Sequence, residues 1–142
     1  MSVAEAAYVA GIIDGEGSVY IDLRRGVVAP KLSISNTYLP MLEWFVRTTG
    51  IGHINKHAPE GKTTKATFFL RCNGEGAETI LRQVRQFMII KKEQAAIAIA
   101  AQERLRDPAI KSDRSWHPMW HQRMKALNRR GPAAVSTKEV QL

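Results

Sequence analysis

A single cysteine, Cys72, leaves the chain without an internal disulfide and without the thiols of a cysteine-rich zinc site. No apolar run approaches the roughly 20 residues that cross a bilayer. The opening Met-Ser-Val-Ala-Glu-Ala-Ala lacks the cations that begin a signal peptide. These absences point away from secretion and membranes, toward a reducing compartment that is cytoplasmic, organellar or nucleoid-associated. No internal repeat is visible, and 142 residues with 44% hydrophobic content suit one domain with a core. Lys and Arg are also missing from residues 1 to 22, which hold Glu5, Asp14, Glu16 and Asp22 and therefore carry −4 in a chain of net charge +8. An acidic centre inside a basic protein suits metal-dependent work on a polyanion. Basic composition for solubility alone does not explain the segregation.

The acidic segment is also the most patterned one. Ala7, Gly11 and Gly15 recur at i, i+4 and i+8, so they line one stripe of a helix and let a second backbone come close. The stripe runs into Asp14-Gly15-Glu16-Gly17, two acids where glycines end a helix. Carboxylates are poorly placed at a helix C-terminus, which carries partial negative charge. Either they are solvated or something offsets the cost, and a divalent cation is the obvious candidate.

Val9-Ala10-Gly11-Ile12-Ile13-Asp14-Gly15-Glu16-Gly17 resembles the nine-residue motif of the LAGLIDADG homing endonucleases. The alanine, both motif glycines and the first acid match in place. Val9 and Ile12 stand for leucines, Gly15 for alanine, and Glu16 for the second aspartate. The resemblance implies that Glu16 is a metal ligand, with the Gly15 carbonyl beside it, and that the metal is Mg²⁺ or another divalent cation such as Mn²⁺. It implies that Lys91, after Phe87-Met88-Ile89-Ile90, points at the active site; Lys92 competes for that assignment. It further implies that Asn36, at the end of a strand, orients water, although a role as helix N-cap explains Asn36 equally well.

The order of elements is read from periodicity. A helix over residues 3 to 14 precedes the alternating strand Ser18 to Leu23, with Val19, Ile21 and Leu23 inward. Arg24-Arg25-Gly26 turns into a second strand, Val27 to Ser35. A helix after Asn36 ends at Gly50, strands follow at Ile51–His57 and Thr63–Cys72 around a turn at Pro59 to Lys62, and helices follow at about 75–87 and 91–106. This α-β-β-α-β-β-α-α order makes an α+β fold with a twisted antiparallel sheet, and it matches the resembled family over residues 4 to 105. Domain organisation reads as 1–106 for the endonuclease domain, 107–114 for a linker, 115–130 for a basic helix capped by Ser115, and 131–142 for a disordered tail. The apolar stripe of that last helix is Trp116, Met119, Trp120, Met124 and Leu127, which directs His117, His121 and Lys125 toward DNA.

The outward strand residues form a polar, cationic face suited to base edges in a groove: Ser18, Tyr20, Asp22, Arg24, Arg25, Lys31, Ser33, Ser35, His53, Asn55, Lys65, Thr67 and Arg71. One acidic motif per chain is too few for both strands of a duplex, so two chains are expected around a twofold axis, meeting at Ala7, Ala10, Gly11, Asp14 and Gly15. The resulting expectation is a site-specific double-strand DNA endonuclease, cutting across the minor groove of a long pseudo-palindromic site and encoded in an intron or intein. An RNA maturase that assists intron splicing, or an inactive DNA-binding regulator of the same fold, is the alternative. Two lesser motifs fail on spacing. Gly61-Lys62-Thr63 lacks the earlier glycine of a phosphate loop, and His117 with His121 lacks a third metal ligand.

Overall fold

A computed structural model describes residues 1–57 and 66–129. The expected turn at 59–62, Lys65 and the expected tail at 131–142 lie outside the described residues. Helix α1 (Val3–Glu16) begins with a capping box: Ser2 Oγ accepts from the Glu5 N–H at 3.2 Å, and Glu5 Oε2 accepts from the Ser2 N–H at 2.6 Å. These bonds lower the Glu5 pKa. The helix runs two residues beyond the expected end, carrying Glu16 on its last turn. Gly17 then leaves it in extended conformation, and a Cβ there would stand 2.7 Å from the Ile13 carbonyl oxygen. Only glycine allows so abrupt an exit from helix into strand.

Strand β1 (Gly17–Arg24) pairs antiparallel with β2 (Val27–Asn36) across a two-residue turn. Arg25 and Gly26 both take positive φ, 51° and 77°, the conformation of a type I′ hairpin. Helix α2 (Leu39–Thr49) ends at the left-handed Gly50. Tyr38, rather than Asn36, occupies its N-cap; Asn36 is the last residue of β2 and its Oδ1 accepts from the Tyr38 N–H at 2.8 Å. Strand β3 (His53–His57) and β4 (Thr67–Asn73) complete an antiparallel sheet of order β1-β2-β4-β3. Helix α3 (Gly74–Val84) passes through a 3₁₀ turn, Arg85–Phe87, to α4 (Lys92–Arg104).

The core is the sandwich between the inner sheet face and α1, α3 and α4. Val19, Ile21, Leu32, Ile34, Leu70 and Cys72 supply the sheet side, and Val9, Ile13, Ile80, Leu81, Ala95 and Ala98 the helical side. Each fully buried aliphatic side chain contributes roughly 1.5–3 kcal/mol. Burial also pushes the Cys72 thiol up to about 11, so it stays a packing residue.

Residues 107–114, expected as a linker, contain the short helix α5 (Pro108–Ser112), capped by Asp107. Helix α6 (His117–Asn128) follows. Its N-cap is Trp116; the expected cap, Ser115, instead donates its N–H to Asp113 Oδ1. Among the described residues, no helix is long and apolar enough to cross a membrane.

Candidate active site and nucleic-acid face

The end of α1 and the start of α4 are tied together by one carboxylate. Asp14 Oδ2 accepts from the Ile89 and Ile90 N–H groups at 2.7 and 3.1 Å, and Oδ1 accepts from the Lys91 N–H at 3.0 Å. The Lys91 ammonium also donates, to the Asp14 main-chain carbonyl. The carboxylate that is unfavourable at the C-terminus of α1 thus serves as the anion at the N-terminus of α4. Burial lowers the Lys91 pKa, and Asp14 opposes that shift.

Glu16 is exposed, two residues beyond Asp14 at the end of α1, and no hydrogen bond or ion pair occupies its carboxylate among the described residues. The two motif acids therefore differ in kind. Asp14 has committed its oxygens within the chain, and Glu16 has not. Asn36 spends its Oδ1 on Tyr38 and shows no bond to Glu16 or Lys91.

Ala7, Gly11 and Gly15 are exposed along the outer side of α1, and a Cβ built on either glycine meets nothing among the described residues within 4 Å. Ala10 does not belong to that stripe: it is 0% exposed, one residue round the helix, and packs in the chain's own core. Ile89 and Ile90 are exposed beside the same helix end, at 88% and 68%.

The outer face of the sheet has no buried apolar row. Strand register aligns its side chains in bands. Ser18, Ser33, Arg71 and His53 form one band across all four strands. Tyr20, Lys31 and Asn73 form a second, and Ser35, Phe69 and Asn55 a third. Thr67 lies opposite His57. Phe69 shares the outward face with Arg71, as alternation along the strand predicts, and Asn73, one residue past the expected strand end at Cys72, joins it. Phe69 meets the His57 ring edge-on at 6.2 Å. Arg24 and Arg25 sit at the hairpin tip. Asp22 is engaged by two neighbours, accepting from Lys31 Nζ at 2.8 Å and Arg24 Nε at 2.7 Å. Those hydrogen bonds, Lys31 first, lower its pKa to about 2.

Helix α6 does not present its histidines outward. His117 is fully buried: its Nδ1 accepts from the Val28 N–H at 3.1 Å, and its Nε2 donates to the Lys111 carbonyl at 3.3 Å. His121 Nδ1 donates to the Ile21 carbonyl at 2.8 Å. Met119, expected inward, is 62% exposed, while Trp116, Met124 and Leu127 are buried as expected. The inward face is rotated by about one residue because the helix lies over strand edges that offer unpaired polar groups.

No protein-family model matches the sequence, and no curated protein matches it. Solved structures do. The homing endonuclease I-CvuI in complex with DNA matches with TM-score 0.69 at 15% identity, over 91% of this chain and 85% of that one. The archaeal intron-encoded homing endonuclease I-Vdi141I, complexed with DNA, matches with TM-score 0.61 at 24% identity, over 87% and 79%. The LAGLIDADG homing endonuclease I-GzeII, also with a DNA target, matches with TM-score 0.64 at 18% identity, over 92% of this chain and 46% of that one.

A four-stranded antiparallel sheet with helices on one face and a polar surface on the other makes this an α+β protein. Its particular form is the LAGLIDADG homing endonuclease fold.

Proposed function

We propose that the chain is a site-specific double-strand DNA endonuclease that works as a homodimer. The observation that carries the reading is the division of labour at the end of α1. Asp14 is saturated by three main-chain N–H groups, and Glu16 stands free at the end of an exposed small-residue stripe.

The stripe supports a twofold partner. Gly11 and Gly15 each cost a helix about 1 kcal/mol relative to alanine, and no contact among the described residues requires them. Close approach by a second α1 does. Two chains then place two Glu16 carboxylates side by side, one for each strand of a duplex. Among the described residues there is no cluster of three metal-ligating side chains. The Glu16 carboxylate with the adjacent Gly15 carbonyl is a donor set that fits a hard divalent cation such as Mg²⁺ when shared between chains. A bound cation would polarise the scissile phosphate and lower the pKa of a water. Lys91, held against the helix end by Asp14, supplies fixed positive charge near the cleaved phosphate, and Asn36 lies at the strand end from which a water is oriented.

The sheet supplies recognition. Its bands of Ser, Arg, His, Asn and Lys can donate to base edges of a major groove while the helix ends face the minor groove between half-sites. A strand of about seven residues rises about 3.3 Å per residue, so a half-site spans on the order of 7 to 10 base pairs. The cations add a salt-dependent attraction to phosphate. The source of such a gene is an intron or intein. Incubating the protein with a randomised palindromic target library in Mg²⁺ tests the reading. A few related sequences should be cut in both strands with short 3′ overhangs, and EDTA should stop the reaction. A library left intact, or degraded without preference, contradicts it.

A further inference from the structure

We propose that residues 107–129 brace the β1–β2 hairpin through its main chain and thereby set its base preference, a role that rests on the sheet being the reading surface. The hairpin has two open edges. Arg24 and Val27 close the type I′ turn, so alternate residues Val19 and Ile21 turn their main-chain groups away from β2. On the other side, β4 pairs with β2 only from Lys31 onward, leaving the Val28 N–H uncovered.

One segment fills both edges. His117 accepts from Val28, His121 donates to the Ile21 carbonyl, and Asn128 Nδ2 donates to the Val19 carbonyl at 3.0 Å. Arg114 Nη1 adds a bond to the Arg25 carbonyl in the turn itself, at 2.7 Å. His117, His121 and Asn128 fall on one helical stripe with Met124, which is buried in the core. That stripe is polar because its counterpart is main chain rather than side chain. The brace is in turn fixed to α4, since the Arg104 guanidinium lies over the Trp116 and Trp120 rings at 5.1 and 5.8 Å.

A two-stranded ribbon projecting past its neighbours twists and flexes, and Tyr20, Asp22 and Arg24 ride on this one. Bidentate base contacts tolerate only about 0.5 Å of displacement. Holding the ribbon by its main chain fixes where those side chains reach. His117, His121, Asn128 and Arg114 are positioning residues. The geometry also sets the His117 tautomer: Nδ1 must lack a proton to accept from an N–H, so Nε2 carries it.

The test compares wild type, His121→Phe with Asn128→Leu, and His121→Asn, whose amide nitrogen can replace Nδ1. Library cleavage reads base preference, and hydrogen exchange reads the amides of residues 17 to 30. In the double variant, discrimination should fall about tenfold at positions under β1–β2, on the scale of one lost base contact. It should hold at positions under β3–β4, with the rate on the best site within about twofold of wild type. Hairpin amides should exchange faster, and His121→Asn should restore both readouts. An unchanged preference profile, unchanged hairpin exchange, or loss spread evenly over all positions overturns the proposal. A wild type inert on every DNA defeats the endonuclease reading instead, while the exchange data still show whether the segment braces the hairpin.

Discussion

Asp14 and Lys91 are bonded to each other twice, with Lys91 the donor both times: the Asp14 carboxylate accepts the Lys91 N–H, and the Asp14 carbonyl accepts the Lys91 ammonium. The pair locks the C-terminus of α1 to the N-terminus of α4. Asp14→Ala leaves three N–H groups without their acceptor. Because Ile89 and Ile90 are exposed, water replaces part of the loss. Stability should fall by about 2 kcal/mol, measured as a lower melting temperature by calorimetry. Asp14→Asn should fall less, since one oxygen still accepts.

Lys91→Met should reduce the cleavage rate more than DNA affinity, because its ammonium is held at the helix end and not on the sheet. Burial lowers its pKa, so its charge is lost at lower pH than in an ordinary lysine. The wild-type rate should decline on the alkaline side before the usual lysine range, and Lys91→Met should lack that decline. Equal losses in rate and affinity would make Lys91 a phosphate contact.

Gly11→Leu should convert a dimer to a monomer while leaving the monomer folded, since nothing among the described residues lies within 4 Å of a Cβ there. Light scattering at micromolar concentration, with circular dichroism as the control for folding, measures this. A wild type that is already monomeric would count against the twofold arrangement.

Asp22 neutralises two cations of the sheet, Lys31 and Arg24. Asp22→Asn should therefore raise affinity for non-specific DNA and steepen its salt dependence, by up to about 2 in the slope of log K against log salt. Its folded pKa of about 2 lies below the ordinary 3.8. The stabilising contribution is therefore present above 3.8 and lost only as pH falls through about 2. Titration of its carboxyl resonance should show no change between pH 7 and 5.

Arg71 is exposed on β4 between Ser33 and His53. Arg71→Gln should shift base preference at one position in each half-site, symmetrically, with the rate on the new best site near wild type. A randomised target library cut by both proteins reads this.

Much of this arrangement is legible in the sequence because its signals are periodic. Val19, Ile21 and Leu23 alternate with Tyr20 and Asp22, and the small stripe of α1 recurs every four residues. Ala10 was misplaced because small residues lie on both sides of that helix, and only packing distinguishes a small core residue from a small surface one. The α6 face was misread for a different reason. Hydropathy assigns histidine to solvent, yet His117 and His121 face the main chain at open strand edges, where a polar partner is what burial requires. The role of Asp14 was hidden because its partners are N–H groups 75 to 77 residues away, which no side-chain pattern reports.

Of the two motif acids, Glu16 is the one whose carboxylate is left unengaged among the described residues. The direct measurement is cleavage of the selected target in Mg²⁺ by wild type and by Glu16→Gln, with binding of both followed on the same DNA in Ca²⁺. Cleavage should vanish in the variant while affinity stays within about threefold, because the sheet is untouched. Full cutting by Glu16→Gln would contradict the assignment.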